Sequence, residues 1–85
     1  MPDTTPDASA VLAGDVRAAW AKALGHADFG DEDQFFTVAG GNSLTAVQVM
    51  VELNDRVGRR LPMRLILRNR TVAELTLAIS AELAG

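Results

Sequence analysis

The sequence predicts an all-α fold: a small four-helix bundle of three longer helices and one short third helix, with a long loop between the first two. Three observations predict it. Apolar residues recur at spacings of three and four in three separate segments. No segment carries a strand signal, and there is no internal repeat. The punctuation is helical: glycines stand where helices should stop, and Ser, Thr or Asn where they should start.

Residues 1–8 are rich in Pro, Asp and Thr without periodicity and read as a flexible tail ahead of a domain spanning 9–85. The first helix should begin near Ser9 and run to about Leu24, with Leu12, Val16, Ala19, Trp20, Ala23 and Leu24 on one stripe. Gly14 weakens its early part, and Gly25 is a natural stop. Residues 25–42 form the long loop. A structureless stretch of that length is usually functional or pinned by its own side chains. Phe29, Phe35 and Phe36 are the expected pins, Trp20 the expected core anchor. His26, the single histidine, reads as incidental.

The second helix should span Ser43 to Val57. Thr45, Gln48, Glu52, Asp55 and Arg56 form one polar stripe, and apolar residues cover more than half the circumference. Such a helix is either flanked on two sides or shows an apolar edge to partners. Leu44 and Val49, at the margins of the apolar sector, are the candidates for exposure. Gly58 ends the helix. Pro62 suits the start of a short helix from Met63 to Arg68, with Leu65, Ile66 and Leu67 partly buried. Thr71 and Glu74 make a capping-box pattern, and a last helix runs to about Leu83 on Val72, Leu75, Ile79 and Leu83.

Composition narrows the functions. Eighty-five residues make one domain, short for an independent catalytic cleft. There is no cysteine, hence no disulfide and no thiolate metal site. No apolar run is long enough to span a membrane, and the N-terminus lacks the features of a signal peptide, so a cytoplasmic protein is expected. Net charge is −3, but unevenly spread: the first half is acidic, while Arg56, Arg59, Arg60, Arg64, Arg68 and Arg70 cluster in the second. The four aromatics lie away from these arginines, so no stacking platform for nucleic acid is interleaved with them. Asp28, Asp31, Glu32 and Asp33 lack the spacing and central glycine of a calcium loop.

The candidate site is Gly40-Gly41-Asn42-Ser43-Leu44. Two glycines allow a sharp turn and a close approach. Asn42 or Ser43 can cap the helix that follows. Ser43 therefore sits near the positive end of a helix dipole, a favourable place for a phosphate. It lacks a G-x-S-x-G elbow and a base of its own, so it looks like a site another enzyme modifies rather than a nucleophile.

These residues carry a resemblance. Asp33, Phe35-Phe36, Gly40-Gly41, Ser43-Leu44, the following helix and Thr71 resemble the peptidyl carrier protein, the thiolation domain of nonribosomal peptide synthetases. The likeness covers about residues 10–83. Asn42, Ala39 and Arg70 depart from the common pattern. The resemblance implies a non-catalytic carrier with 4′-phosphopantetheine on Ser43, donated from coenzyme A by a phosphopantetheinyl transferase, with Gly41, Asn42 and Leu44 around it. The arm would hold an aminoacyl or peptidyl thioester for adenylation and condensation or tailoring enzymes. Leu44, Val49, Met50, Arg64 and Arg68 are the expected docking residues of a free-standing monomer. The alternatives are an acyl carrier protein of polyketide or fatty-acid synthesis, and an unmodified helical interaction module using the arginines.

Overall fold

The structure is a computed structural model that describes the backbone of residues 8–84 and the side chains of residues 10–84. Four helices follow one another: α1 (Ala8–Leu24), α2 (Ser43–Val57), α3 (Arg64–Arg68) and α4 (Val72–Ala84). A 3-10 turn at Phe35–Thr37 interrupts the long loop. The described residues contain no strand. The tail expected at 1–8 lies outside the described residues except for Ala8, which already belongs to α1. No helix among the described residues is long and apolar enough to cross a membrane.

The predicted stripes are the packed ones. α1 lies against both α2 and α4, and α3 packs on α4. Leu12, Val16, Ala19 and Trp20 of α1 meet Ala46, Val49, Met50 and Leu53 of α2 and Val72, Leu75 and Ile79 of α4 in one core. Leu65 and Ile66 close it from α3; Leu67, expected to be partly buried, is exposed because it points away from α4 on a helix of little more than one turn.

The loop is held by aromatic packing. Phe35 is fully buried and meets Trp20 edge-on, with ring centroids 4.9 Å apart. Phe29 lies 5.3 Å from Trp20, and Phe36 lies 5.3 Å from Phe35. Such contacts add about 0.5–1.5 kcal/mol each to the area they bury. The Trp20 indole N–H is buried without an acceptor among the described residues. That costs roughly 1–3 kcal/mol, less than the roughly 3–5 kcal/mol that truncating a buried Trp costs.

Several charged side chains of the loop and helices are paired at the surface. Arg17 grips Asp31 with two hydrogen bonds, at 2.8 and 2.6 Å, and holds its carboxyl below the ordinary range. Glu52 lies between Lys22 and Arg56, each at 2.9 Å, and its carboxyl is likewise lowered, first by the bond from Lys22. Much of the arginine cluster is thus structural. Arg56 also reaches Asp15 at 3.2 Å, Arg59 donates to the Leu83 carbonyl, and Arg70 donates to the Leu67 carbonyl and lies over the Phe36 ring.

Candidate functional site

The start of α2 is built by its neighbours rather than by Ser43. Gly40 takes φ +87°, a left-handed conformation open to glycine at no cost. Gly41 fits for another reason. A Cβ there would fall 1.8 Å from the Phe35 carbonyl oxygen, so the backbone of the 3-10 turn occupies the space a side chain would need. The missing side chain serves the loop's own packing.

Asn42 is extended and is the cap. Its Oδ1 accepts from the Thr45 N–H at 3.0 Å, and the Thr45 hydroxyl accepts from the Asn42 N–H at 2.9 Å. This reciprocal pair is a capping box with threonine in place of the usual acid. The Thr45 hydroxyl in turn donates to the Gly40 carbonyl at 2.9 Å, and the Asn42 amide donates to the same oxygen at 3.2 Å. The choice left open between Asn42 and Ser43 falls to Asn42, because Asn42 is the last extended residue before the helix and Ser43 is already its first helical residue.

Ser43 is therefore released. It is the first residue of α2, it is exposed, and its hydroxyl has no hydrogen-bond partner among the described residues. The N–H groups of Ser43 and Leu44 also lack an acceptor among them. No acidic residue stands in the first turn of α2 to offset the dipole. A phosphodiester at Ser43 Oγ meets two free donors, a positive helix end and open space, so the residues fit such a group.

Of the other expected site residues, Gly41, Asn42 and Leu44 do surround Ser43, and Leu44 is 68% exposed. Val49 and Met50 do not present themselves: they are 0% and 3% exposed. Ala46, Val49, Met50 and Leu53 form the seam against the core, which places Val49 in the middle of the buried face rather than at its margin. The exposed apolar edge is instead Leu44, Val47 and Val51. Their spacing of three and four was the signal for a second stripe. Arg64 and Arg68 are exposed on α3; Arg64 lies 3.9 Å from Glu82, and Arg68 has no partner among the described residues.

His26 was missed. Its Nδ1 accepts from the Asp28 N–H at 3.0 Å, and its Nε2 lies 2.7 Å from the Ala39 carbonyl oxygen. A backbone N–H can only donate and a carbonyl can only accept, so the ring carries its proton on Nε2 and donates it to Ala39. No local pattern in the sequence announces a contact across thirteen positions.

Comparison with known proteins agrees with this geometry. Residues 14–79 match the family described as "Phosphopantetheine attachment site". The chain is 39% identical over 70 residues to indigoidine synthase of Streptomyces lavendulae, covering 82% of this chain and 5% of that protein. It is 42% identical over 65 residues to the phosphinothricin tripeptide synthetase PhsC of Streptomyces viridochromogenes, covering 76% and 6%. The chain thus corresponds to a small segment of these synthetases. Among solved structures it resembles BlmI, a type-II acyl-carrier-protein from Streptomyces verticillus involved in bleomycin biosynthesis. The TM-score is 0.79 and the identity 33%, with 88% of this chain and 89% of that chain covered.

Proposed function

The chain belongs to the phosphopantetheine-attachment family of carrier proteins, and from that premise we propose that Ser43 is the residue that bears its arm. One observation carries this reading. Asn42 does the capping, so the Ser43 hydroxyl stands exposed and unengaged at an uncompensated helix start. When attached, 4′-phosphopantetheine supplies a terminal thiol on which an aminoacyl or peptidyl group is held as a thioester. The chain has no cysteine to compete with that thiol.

The chain's own residues hold and present. The free N–H groups of Ser43 and Leu44 are placed to donate to the phosphodiester. The capping box keeps the helix start ordered whether or not Ser43 is modified, since Ser43 contributes nothing to it. The reading is non-catalytic. No base among the described residues bonds the Ser43 hydroxyl, and both ring nitrogens of His26 are engaged within the loop. Tethering raises the effective concentration of the cargo at each partner's active site.

The partners of this reading are a phosphopantetheinyl transferase, an adenylation enzyme and a condensation or tailoring enzyme of nonribosomal peptide assembly. The synthetase relatives support an aminoacyl cargo. Leu44, beside the serine, and Arg64 and Arg68 on α3 are the docking residues we retain, with Val47 and Val51 in place of Val49 and Met50.

The test is an intact-protein mass after incubation with coenzyme A, Mg²⁺ and a broad-specificity phosphopantetheinyl transferase. The expected result is a gain of one phosphopantetheine, mapped to Ser43 and absent from Ser43→Ala. A gain that persists in Ser43→Ala, or none at all on the folded protein, overturns the assignment.

A further inference from the structure

We propose that His26 is a positioning residue for the loading of Ser43: it latches the two ends of the 25–42 loop together and so holds the backbone that leads into the serine. The proposal rests on Ser43 being the loaded residue.

The loop leaves α1 at Gly25, whose φ of +80° turns the chain and whose N–H closes the helix on the Ala21 carbonyl. His26 follows at once. The loop returns to the same place: Gly40 packs on the end of α1, where a Cβ would lie 3.5 Å from the Leu24 carbonyl oxygen. Between these strands of loop, the His26 ring is the polar link. One nitrogen is anchored by the Asp28 N–H, which orients the ring, and the other donates to Ala39 at 2.7 Å.

Ala39 is adjacent to Gly40, and the Gly40 carbonyl receives both the Thr45 hydroxyl and the Asn42 amide. The connection thus runs from His26 through Ala39 and Gly40 to the capping box that frees Ser43. On the far side the loop has its own fastening, from the Phe35 N–H to the Arg70 carbonyl at 2.6 Å and through the buried Phe35 ring. That side is set in the core and survives without His26. The α1 side has no buried aromatic between Val38 and Asn42. Losing the latch there should loosen the approach to Ser43 and leave the bundle intact.

A looser approach lowers the fraction of molecules in the competent conformation, which raises apparent KM in proportion and leaves turnover of the bound complex alone. A hydrogen bond of ordinary net strength changes the latched-to-open ratio roughly threefold to tenfold, so that factor is the upper limit on the rise in KM.

The experiment measures transferase kinetics with carrier concentration varied, for the wild type, His26→Ala, His26→Gln and His26→Asn. Glutamine can place an N–H near the position of Nε2 and reach Ala39; asparagine is too short. The expected result for His26→Ala is a raised KM for the carrier, by up to roughly tenfold, with kcat unchanged. His26→Gln should return it towards wild type, and His26→Asn should not. Faster amide exchange confined to residues 39–44 should accompany the loss. Wild-type KM in His26→Ala overturns the latch. Should His26→Ala fail to fold, equal KM values for the glutamine and asparagine variants overturn it. Failure of the wild type to load at Ser43 is the separate result that removes the underlying assignment, and the latch with it.

Discussion

α2 and α4 begin with the same local device and face opposite surroundings. Each has a short polar cap whose side chain accepts from the third N–H of the helix, Asn42 to Thr45 and Thr71 to Glu74. In front of α4 the loop has moved in. The Asp31 carbonyl takes the Ala73 N–H at 3.1 Å, Phe35 bonds the Arg70 carbonyl, and Thr71 is 4% exposed. Glu74 adds a carboxylate to the first turn; it accepts from the Thr71 hydroxyl at 3.2 Å rather than reaching back to the backbone as the motif suggested. In front of α2 no group among the described residues bonds the Ser43 or Leu44 N–H. The lesson is that a capping motif is a helix start in both cases, and that only what packs ahead of it makes the start a structural joint or leaves it open.

The sharpest way to separate the two is Ser43→Ala. It should abolish loading completely and shift the urea-unfolding free energy by no more than about 0.5 kcal/mol, since the hydroxyl bonds nothing among the described residues. Gly41→Ala attacks the open end through its backbone. A methyl group cannot share space with the Phe35 carbonyl, and we expect a loss of roughly 1–3 kcal/mol together with slower loading. Thr71→Ala at the closed end should cost toward the upper part of the roughly 0.5–2 kcal/mol range for caps, while loading is retained. Asn42→Ala removes the same bond in an exposed setting and should cost about 1 kcal/mol or less; a larger loss than in Thr71→Ala would reverse the comparison.

The smallest effect distinguishes the ends by pH. Asp31, whose carbonyl plugs α4, is held by Arg17 and has its folded carboxyl pKa lowered. A lowered folded pKa gives stability that is fully present above the unfolded value, about 3.9, and lost as pH falls through the folded value. The pair is exposed and screened, so the change is slight. It should disappear in Asp31→Asn, as read by thermal unfolding between neutral and acid pH. The cap of α2, an amide and a hydroxyl, has no such dependence.

Much of this was legible along the chain. The bounds of α2 at Ser43 and Val57, the stop of α1 before Gly25 and the cap at Thr71 are all where the pattern put them. Each depends on residues within four positions of one another. Val49 was misplaced because the apolar sector of α2 is wider than one seam. Periodicity identifies a stripe, but which edge meets α1 depends on where α1 lies. Arg56, Arg59 and Arg70 read as a patch in one dimension and proved to be spent on partners in three. His26 read as incidental because its acceptor is brought to it only when the loop closes.

By itself, then, the sequence determined four helices, the cap of the last one, a loop pinned by aromatics and a serine at a helix start. These follow from backbone geometry and apolar spacing, which act over short separations. The tertiary structure alone decided that Asn42 rather than Ser43 does the capping, that Leu44, Val47 and Val51 form the open edge, and that α4 is closed while α2 is open. The open edge depends on where α1 packs against α2, and the state of each helix start on which groups fill the space ahead of it once the loop is packed against Trp20.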